Sequence, residues 1–129
     1  MKDMMDLLCD GAKQCFQAFL TCDLDKVAQY VNKYGELKMR MFPKFEPEFV
    51  TRLRTELHRG PDPVLCCSSL AGAGGGGYLY GLLAKGVTRD RLESAVNRAR
   101  DAVDGCAEAL IMDIKLDYEG IKYFWFNWL

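Results

Sequence analysis

The sequence predicts an α+β fold in which a mostly antiparallel sheet carries helices packed on one face. Apolar residues recur at steps of three and four through the first half, and short apolar runs joined by brief connections fill the second. The predicted helices are grouped and do not alternate with strands, which favours this class over a parallel sheet. At 129 residues the chain fits a single domain, 1–129, with a helical part at 1–60 and a β-β-α-β-β part at 61–129.

Three helices are predicted in the first half. An apolar stripe predicts the first over residues 3–21, and Asp23 is the expected N-cap of the second, which ends before Pro43. These two helices would form a helical hairpin ahead of the sheet. A third stripe at 49–57 stops at HRGPDP, a Gly/Pro stretch that no helix crosses.

Four strands and one helix are predicted in the second half. The runs VLCCSSL at 64–70 and GYLYGLLA at 77–84 are apolar and rich in strand-favouring residues. Residues 88–103 place apolar side chains on one helical face, after Thr88 as N-cap. Alternation from residue 110 to 117 and the run IKYFWFNWL at the end predict a final hairpin.

Charge and composition argue against two classes of partner. The 17 Lys and Arg residues nearly balance the 18 Asp and Glu residues, so the chain lacks the basic field that attracts nucleic acid or anionic membranes. No stretch approaches the roughly 18 apolar residues of a membrane span. We therefore expect a cytoplasmic protein that binds neither nucleic acid nor a membrane.

The six cysteines do not form a disulfide framework or a metal site by their spacing. We expect reduced thiols that are mostly buried. No Cys-x-x-Cys occurs and His58 is the single histidine, so a zinc site would need scattered thiolates and none is predicted.

A glycine cluster separates the first two predicted strands, and it comprises Gly72, Ala73, Gly74, Gly75, Gly76 and Gly77. Its apolar flanks argue against a free linker. Tyr78 and Leu79 follow it where a Walker loop needs Lys and Ser/Thr. It matches G-x-G-x-x-G, but YLYGLLAKG is too short and broken for the helix of a dinucleotide site, which is therefore less favoured.

The interpretation left is a loop with positive φ at several positions, or one that something bulky approaches closely. Such a loop either binds an anion through its backbone N–H groups or is a tight turn without a ligand, and the residues favour neither. Ser68 and Ser69, beside the loop, are the best polar candidates for contacting a substrate.

Other polar residues have simpler expected roles. His58 is expected to cap a helix end rather than to catalyse. Arginines on the third helix are expected to be surface charges, and acidic residues near the final hairpin are expected on a solvated face rather than on magnesium. These residues are Arg52, Arg54, Arg59, Asp113, Asp117 and Glu119.

The order of letters in SLAGAGGGGYLYGLL closely resembles the third conserved motif of the GHMP small-molecule kinases, Lys-Leu-Ser/Thr-Gly-Ala-Gly-x-Gly-Gly followed by an apolar strand. Ser69 stands where lysine is usual and Ala71 where Ser or Thr is usual. These departures, with Tyr78, are similar to the L-fucokinase branch, with the sugar-heptose kinases next. The matching residues are Leu70, Gly72, Ala73, Gly74, Gly76 and Gly77.

The resemblance implies a ferredoxin-like C-terminal domain whose glycine loop packs against the nucleotide phosphate loop and borders the sugar pocket. It implies an enzyme that uses ATP and Mg²⁺ to convert L-fucose to L-fucose 1-phosphate. The superfamily's other two motifs are missing from this chain. We therefore expect no catalytic residue here, no activity or tight cofactor binding by the chain alone, and an N-terminal kinase domain on the same or a companion chain.

Two alternatives to the kinase remain. One is a free-standing ferredoxin-like binding or regulatory module whose loop takes a small anion. The other is a ferredoxin-like domain that binds nucleic acid through Tyr123 and Phe124, which the balanced charge disfavours.

Overall fold

The computed structural model describes residues 3–72, 75 and 77–114, and it confirms the α+β class with an N-terminal helical hairpin. Four helices and two antiparallel strands follow one another along this part of the chain. They are α1 (Met4–Leu20), α2 (Leu24–Met41), α3 (Glu48–Leu57), β1 (Leu65–Leu70), β2 (Leu79–Leu83) and α4 (Arg89–Ala102). Within these residues every helix is too short or too polar to cross a membrane.

Two helix starts follow the side-chain chemistry predicted for them. Asp23 accepts a hydrogen bond from the Lys26 backbone N–H at 3.1 Å and caps α2. Thr88 accepts one from the Arg91 N–H at 3.4 Å and caps α4. Each cap satisfies an N–H group that has no partner inside its helix, which is why these helices begin where they do.

The two strands pair with a register that separates their residues onto two faces. Ser68 lies opposite Gly81, and Leu70 lies opposite Leu79. Ser69 lies opposite Tyr80, and because side chains alternate along a strand, these two project from the other face. The Ala71 N–H donates to the Tyr78 carbonyl at 2.9 Å, so the pairing continues up to the glycine loop.

The core lies where α3 and α4 meet the sheet. Its larger cluster joins Leu57 of α3 to Leu65 of β1 and Val96 of α4. A smaller cluster, formed by Phe45, Val50 and Leu70, lies beneath the glycine loop. The helical hairpin is attached through α2, where Asn32 Nδ2 donates to the Cys66 carbonyl at 3.2 Å. The strand that leads into the loop is therefore packed against the helices.

Residues 110–114 do not form the predicted strand. Leu110 and Ile114 are 80% and 82% exposed, and no third strand among the described residues runs beside this segment to complete a ladder. Alternation alone does not make a strand, because a strand also needs a neighbouring backbone to pair with. Residues 115–129, which hold the rest of the predicted hairpin with Asp117, Glu119, Tyr123 and Phe124, lie outside the described residues.

The prediction that the cysteines are mostly buried is wrong. All six thiols are free, but only Cys67 and Cys106 are buried, while Cys9 and Cys22 are exposed. The helical spacing of the N-terminal cysteines is also typical of a core stripe, which is why it misleads. In the described part of the chain, much of the α1 surface instead faces solvent, and Phe16 is 59% exposed there.

Candidate functional site

The glycine loop joins β1 to β2 at one end of the sheet. Gly72, Gly75 and Gly77 have φ values of +74°, +80° and +99°, in the left-handed region that favours glycine. A Cβ added at any of the three would meet no atom within 4 Å. Backbone conformation, and not crowding by the described chain, therefore requires glycine at these positions. Ala73, Gly74 and Gly76 lie outside the described residues.

Close approach occurs instead at Gly81, on β2. A Cβ built there would lie 2.5 Å from the Cys67 carbonyl oxygen, and 3.3 Å from both the Leu65 Cδ1 and the Ser68 Cβ. Only a hydrogen fits between the two strands at this point. The glycine cluster predicted either positive φ or close approach, and this close approach of backbone occurs on the strand that follows the cluster.

A lysine from α2 reaches the loop. Lys38 Nζ donates to the Gly72 carbonyl at 3.1 Å and lies 4.0 Å from the centre of the Phe45 ring. An ammonium over an aromatic face is attracted by the electrons of the ring. The sequence did not identify this residue, because its position in the last turn of α2 is where basic side chains commonly occur. The structure thus places a positive charge beside the loop.

The loop is also tied to the segment that joins α2 to α3. The Gly75 N–H donates to the carbonyl of the buried Phe45 at 3.0 Å. This hydrogen bond uses one of the N–H groups that an anion-binding concavity would need. Any anion at the described part of the loop would have to be met by Lys38 and by other backbone groups.

Ser68 and Ser69 are buried, with 0% and 2% of their surface exposed. Ser68 Oγ accepts from Arg54 Nε at 3.0 Å and lies 2.8 Å from His58 Nε2. Ser69 Oγ, on the opposite face of the sheet, has no hydrogen-bond partner among the described residues. Either hydroxyl could contact a substrate only if the residues that cover β1 moved away. The substrate contact of Ser68 and Ser69 therefore stays a prediction.

Arg54 is not the surface charge that the sequence predicted. Its Nη1 lies 2.7 Å from Glu46 Oε2, and the two side chains are only 24% and 3% exposed. Thr51 Oγ1 donates to the other carboxylate oxygen at 2.9 Å. Glu46 precedes α3 and folds back beside it, so helical spacing could not identify this pair.

The other two arginines, Arg52 on α3 and Arg59 just after it, do lie at the surface as predicted. Arg52 pairs with Glu48 and Arg59 with Glu56, one helical turn apart. Asp113 also lies at the surface, in an ion pair with Arg89. Among the described residues, no three candidate side chains come together as metal ligands.

His58 ends α3, as predicted, but its ring has a second role. Its backbone N–H donates to the Arg54 carbonyl at 2.9 Å. Burial lowers the pKa of the ring below 6.5, the Arg54 charge lowers it further, and a hydrogen bond with the Leu65 backbone opposes both effects. The ring is therefore neutral at pH 7. Because Arg54 Nε already donates to Ser68 Oγ, we assign the Ser68 hydroxyl proton to its hydrogen bond with His58 Nε2.

The Ser68–His58 pair has the spacing of an activated nucleophile, but its surroundings do not suit that role. The Ser68 hydroxyl has no exposed surface, and Arg54 donates to the oxygen that would attack. A nucleophile needs access to its substrate and a free electron pair. The pair is instead part of a partly buried polar network.

Comparison of the chain with models of protein families, with curated proteins and with solved structures found no match. The resemblance to the GHMP kinases therefore depends on the glycine motif and its neighbours alone.

Proposed function

We propose that the chain is the C-terminal portion of an ATP-dependent sugar 1-kinase of the L-fucokinase type, and that its glycine loop borders the phosphate and sugar sites. The observation that supports this most directly is the loop itself. The residues that resemble the kinase motif join two antiparallel strands, and Gly72, Gly75 and Gly77 have left-handed backbone with open space at their Cβ positions. A second surface can approach this backbone closely.

The charge beside the loop suits a phosphate-bearing partner. Lys38 lies against Gly72, and Lys44 lines the same depression as Lys38 and Phe45. Transfer of the γ-phosphoryl group of ATP to the anomeric hydroxyl forms a bond from the sugar oxygen to phosphorus. It breaks the bond from the γ-phosphorus to the bridging oxygen and releases ADP and the hydroxyl proton. Such reactions depend mainly on positioning and charge stabilisation. In the proposed enzyme this chain contributes a positively charged surface that borders the active site. An N-terminal kinase domain supplies the reacting groups.

The chain alone is expected to bind neither substrate tightly. Titration calorimetry with ATP–Mg²⁺, and separately with L-fucose, should give no measurable saturation at micromolar concentrations, because the phosphate-binding motif is missing from the sequence. Micromolar binding of either compound would contradict the assignment as one portion of a kinase.

In a longer protein that carries this segment, Gly75→Val is expected to lower kcat by about 100-fold or more, because a branched side chain at φ +80° displaces the loop from the reacting groups. Gly86→Val is the matched control, since Gly86 also has a left-handed φ, +79°, with open space, but lies between β2 and α4. Full activity of Gly75→Val, or equal losses in the two variants, would contradict a role for the loop in catalysis.

Lys38 also favours a second candidate, a free-standing module that binds a small anion. Titration of the chain with inorganic phosphate and pyrophosphate distinguishes the two. If the chain is a portion of a kinase, we expect neither phosphate nor pyrophosphate to saturate it in the millimolar range. Saturation that Lys38→Met abolishes and Lys44→Met preserves would favour the anion module.

A further inference from the structure

A partly buried polar relay links a titratable ring to the glycine loop. We define the relay as His58, Ser68, Arg54 and Glu46, which are connected in this order by contacts of 2.8, 3.0 and 2.7 Å. One end of the relay is His58, at the end of α3. The other end is Glu46, which directly follows Phe45, the residue whose carbonyl accepts the Gly75 N–H.

The relay is also built into the strand that leads into the loop. Ser68 lies on β1, which ends at Leu70, two residues before Gly72. The loop is thus held on one side by the strand that contains Ser68 and on the other by the segment that contains Glu46. A rearrangement of the relay would therefore affect both the strand and the segment that hold the loop.

The hydrogen bonds of the relay are complete only while the His58 ring is neutral. Ser68 Oγ accepts from Arg54 Nε and donates its proton to His58 Nε2. A protonated ring could only donate at Nε2, so the Ser68 proton would lose its acceptor at a site with no exposed surface. Leaving a buried donor without a partner is costly.

Protonation would also place a second cation beside Arg54. The depression that His58 lines is formed by Glu46, Thr51, Arg54 and Thr55, and β1 contributes the Ser68 hydroxyl. Among these groups Glu46 is the one carboxylate, and both of its oxygens are already engaged, by Arg54 and by Thr51. Within the described part of the chain, the group that favours an imidazolium is the Leu65 backbone, and its hydrogen bond is outweighed by burial and by the Arg54 charge.

We propose that the relay is a pH-responsive hold on the glycine loop, in which protonation of His58 releases Arg54 and weakens the contact between Gly75 and Phe45. This pH response requires no kinase activity and is independent of the proposed function. The hydrogen bond from Gly75 to Phe45 is expected to be intact at neutral pH and weakened under acidic conditions.

The expected pH range follows from the chemistry of the ring. His58 is the single histidine in the chain, and histidine is the side chain whose ordinary pKa lies between pH 5 and 8. The folded state lowers its pKa below 6.5, so the unfolded chain takes up the proton first. The stabilising contribution is complete above pH 6.5 and is lost as pH falls from there through the folded-state pKa.

Amide exchange of the ¹⁵N-labelled chain tests this coupling between about pH 7.5 and 5. After correction for intrinsic exchange, protection of the Gly75 amide is expected to fall about tenfold on the same curve as the His58 ring resonances. The Val103 amide, which donates to Ala99 at the end of α4, is the internal control and should keep its protection. Unchanged Gly75 protection while the ring titrates, or parallel loss at Val103, would overturn the proposal.

Two variants make the test specific. His58→Gln is neutral across the range and retains an acceptor for Ser68, so Gly75 protection should no longer depend on pH. Ser68→Ala keeps a titrating ring but removes the link, and Gly75 should again be independent of pH. A pH dependence of wild-type size in either variant would contradict the relay. If neither variant folds, the wild-type chain still tests the proposal, through the comparison of the His58 titration curve with the pH dependence of Gly75 protection.

Discussion

Replacing Arg54 by methionine is expected to destabilise the fold by about 3 kcal/mol, since the change leaves a buried carboxylate without its counter-charge. The Glu46 side chain is only 3% exposed, and Arg54 Nη1 is its one cationic partner among the described residues, at 2.7 Å. The Ser68 hydroxyl would lose its donor from Arg54 as well. Methionine retains much of the length of the side chain, so the measurement reports mainly on charge and hydrogen bonding.

Urea unfolding followed by circular dichroism provides this measurement. Arg52→Met is the matched control on the same helix, because Arg52 pairs with Glu48 at the surface with side chains 58% and 78% exposed. The control should change the free energy of unfolding by no more than about 0.5 kcal/mol. Equal effects of the two substitutions would show that the Arg54–Glu46 pair has no special structural role.

Gly81→Ala is expected to destabilise the fold by about 2 to 3 kcal/mol, although it adds a single methyl group. The new Cβ would lie 2.5 Å from the Cys67 carbonyl oxygen, which is backbone and cannot rotate away. The strands would have to separate locally, in the middle of the β1–β2 pairing where Gly81 faces Ser68.

The same substitution in α1 should have the opposite sign. Gly11 lies inside the helix, and a methyl group added there would meet no atom within 4 Å. Gly11→Ala is therefore expected to stabilise the fold by up to about 1 kcal/mol through helix propensity. Thermal unfolding of both variants against the wild-type chain checks the pair. A Gly81→Ala chain as stable as wild type would mean that the strands accommodate the methyl group without strain.

Local structure was largely predictable from the sequence. The periodicity, the Asp23 and Thr88 caps and the Gly/Pro stretch after α3 predicted four helices and two strands at close to their observed bounds. Each of these signals depends on residues only a few positions apart, so the local sequence is enough to show it. The failure at residues 110–114 has the same origin, since a strand depends on a partner that its own alternation does not specify.

The candidate site was predictable only in part. The glycine cluster identified the loop, and the left-handed φ values agree with one of the two explanations offered for it. The residues that give the loop its charge and its attachments were not predicted. Lys38 is 34 positions from Gly72, and Glu46 approaches Arg54 through the path of the segment that joins α2 to α3.

The sequence by itself determined where the four helices and the β1–β2 pair form, because hydrophobic spacing, caps and glycine conformations are local properties of the chain. Tertiary structure alone decided that Gly81 is crowded by the backbone of the opposite strand, that Arg54 is the partner of the buried Glu46, and that His58 lies against Ser68. These contacts depend on how close separate segments come after packing, and distance and burial, not residue type, decide whether a charge or a hydroxyl has a structural role.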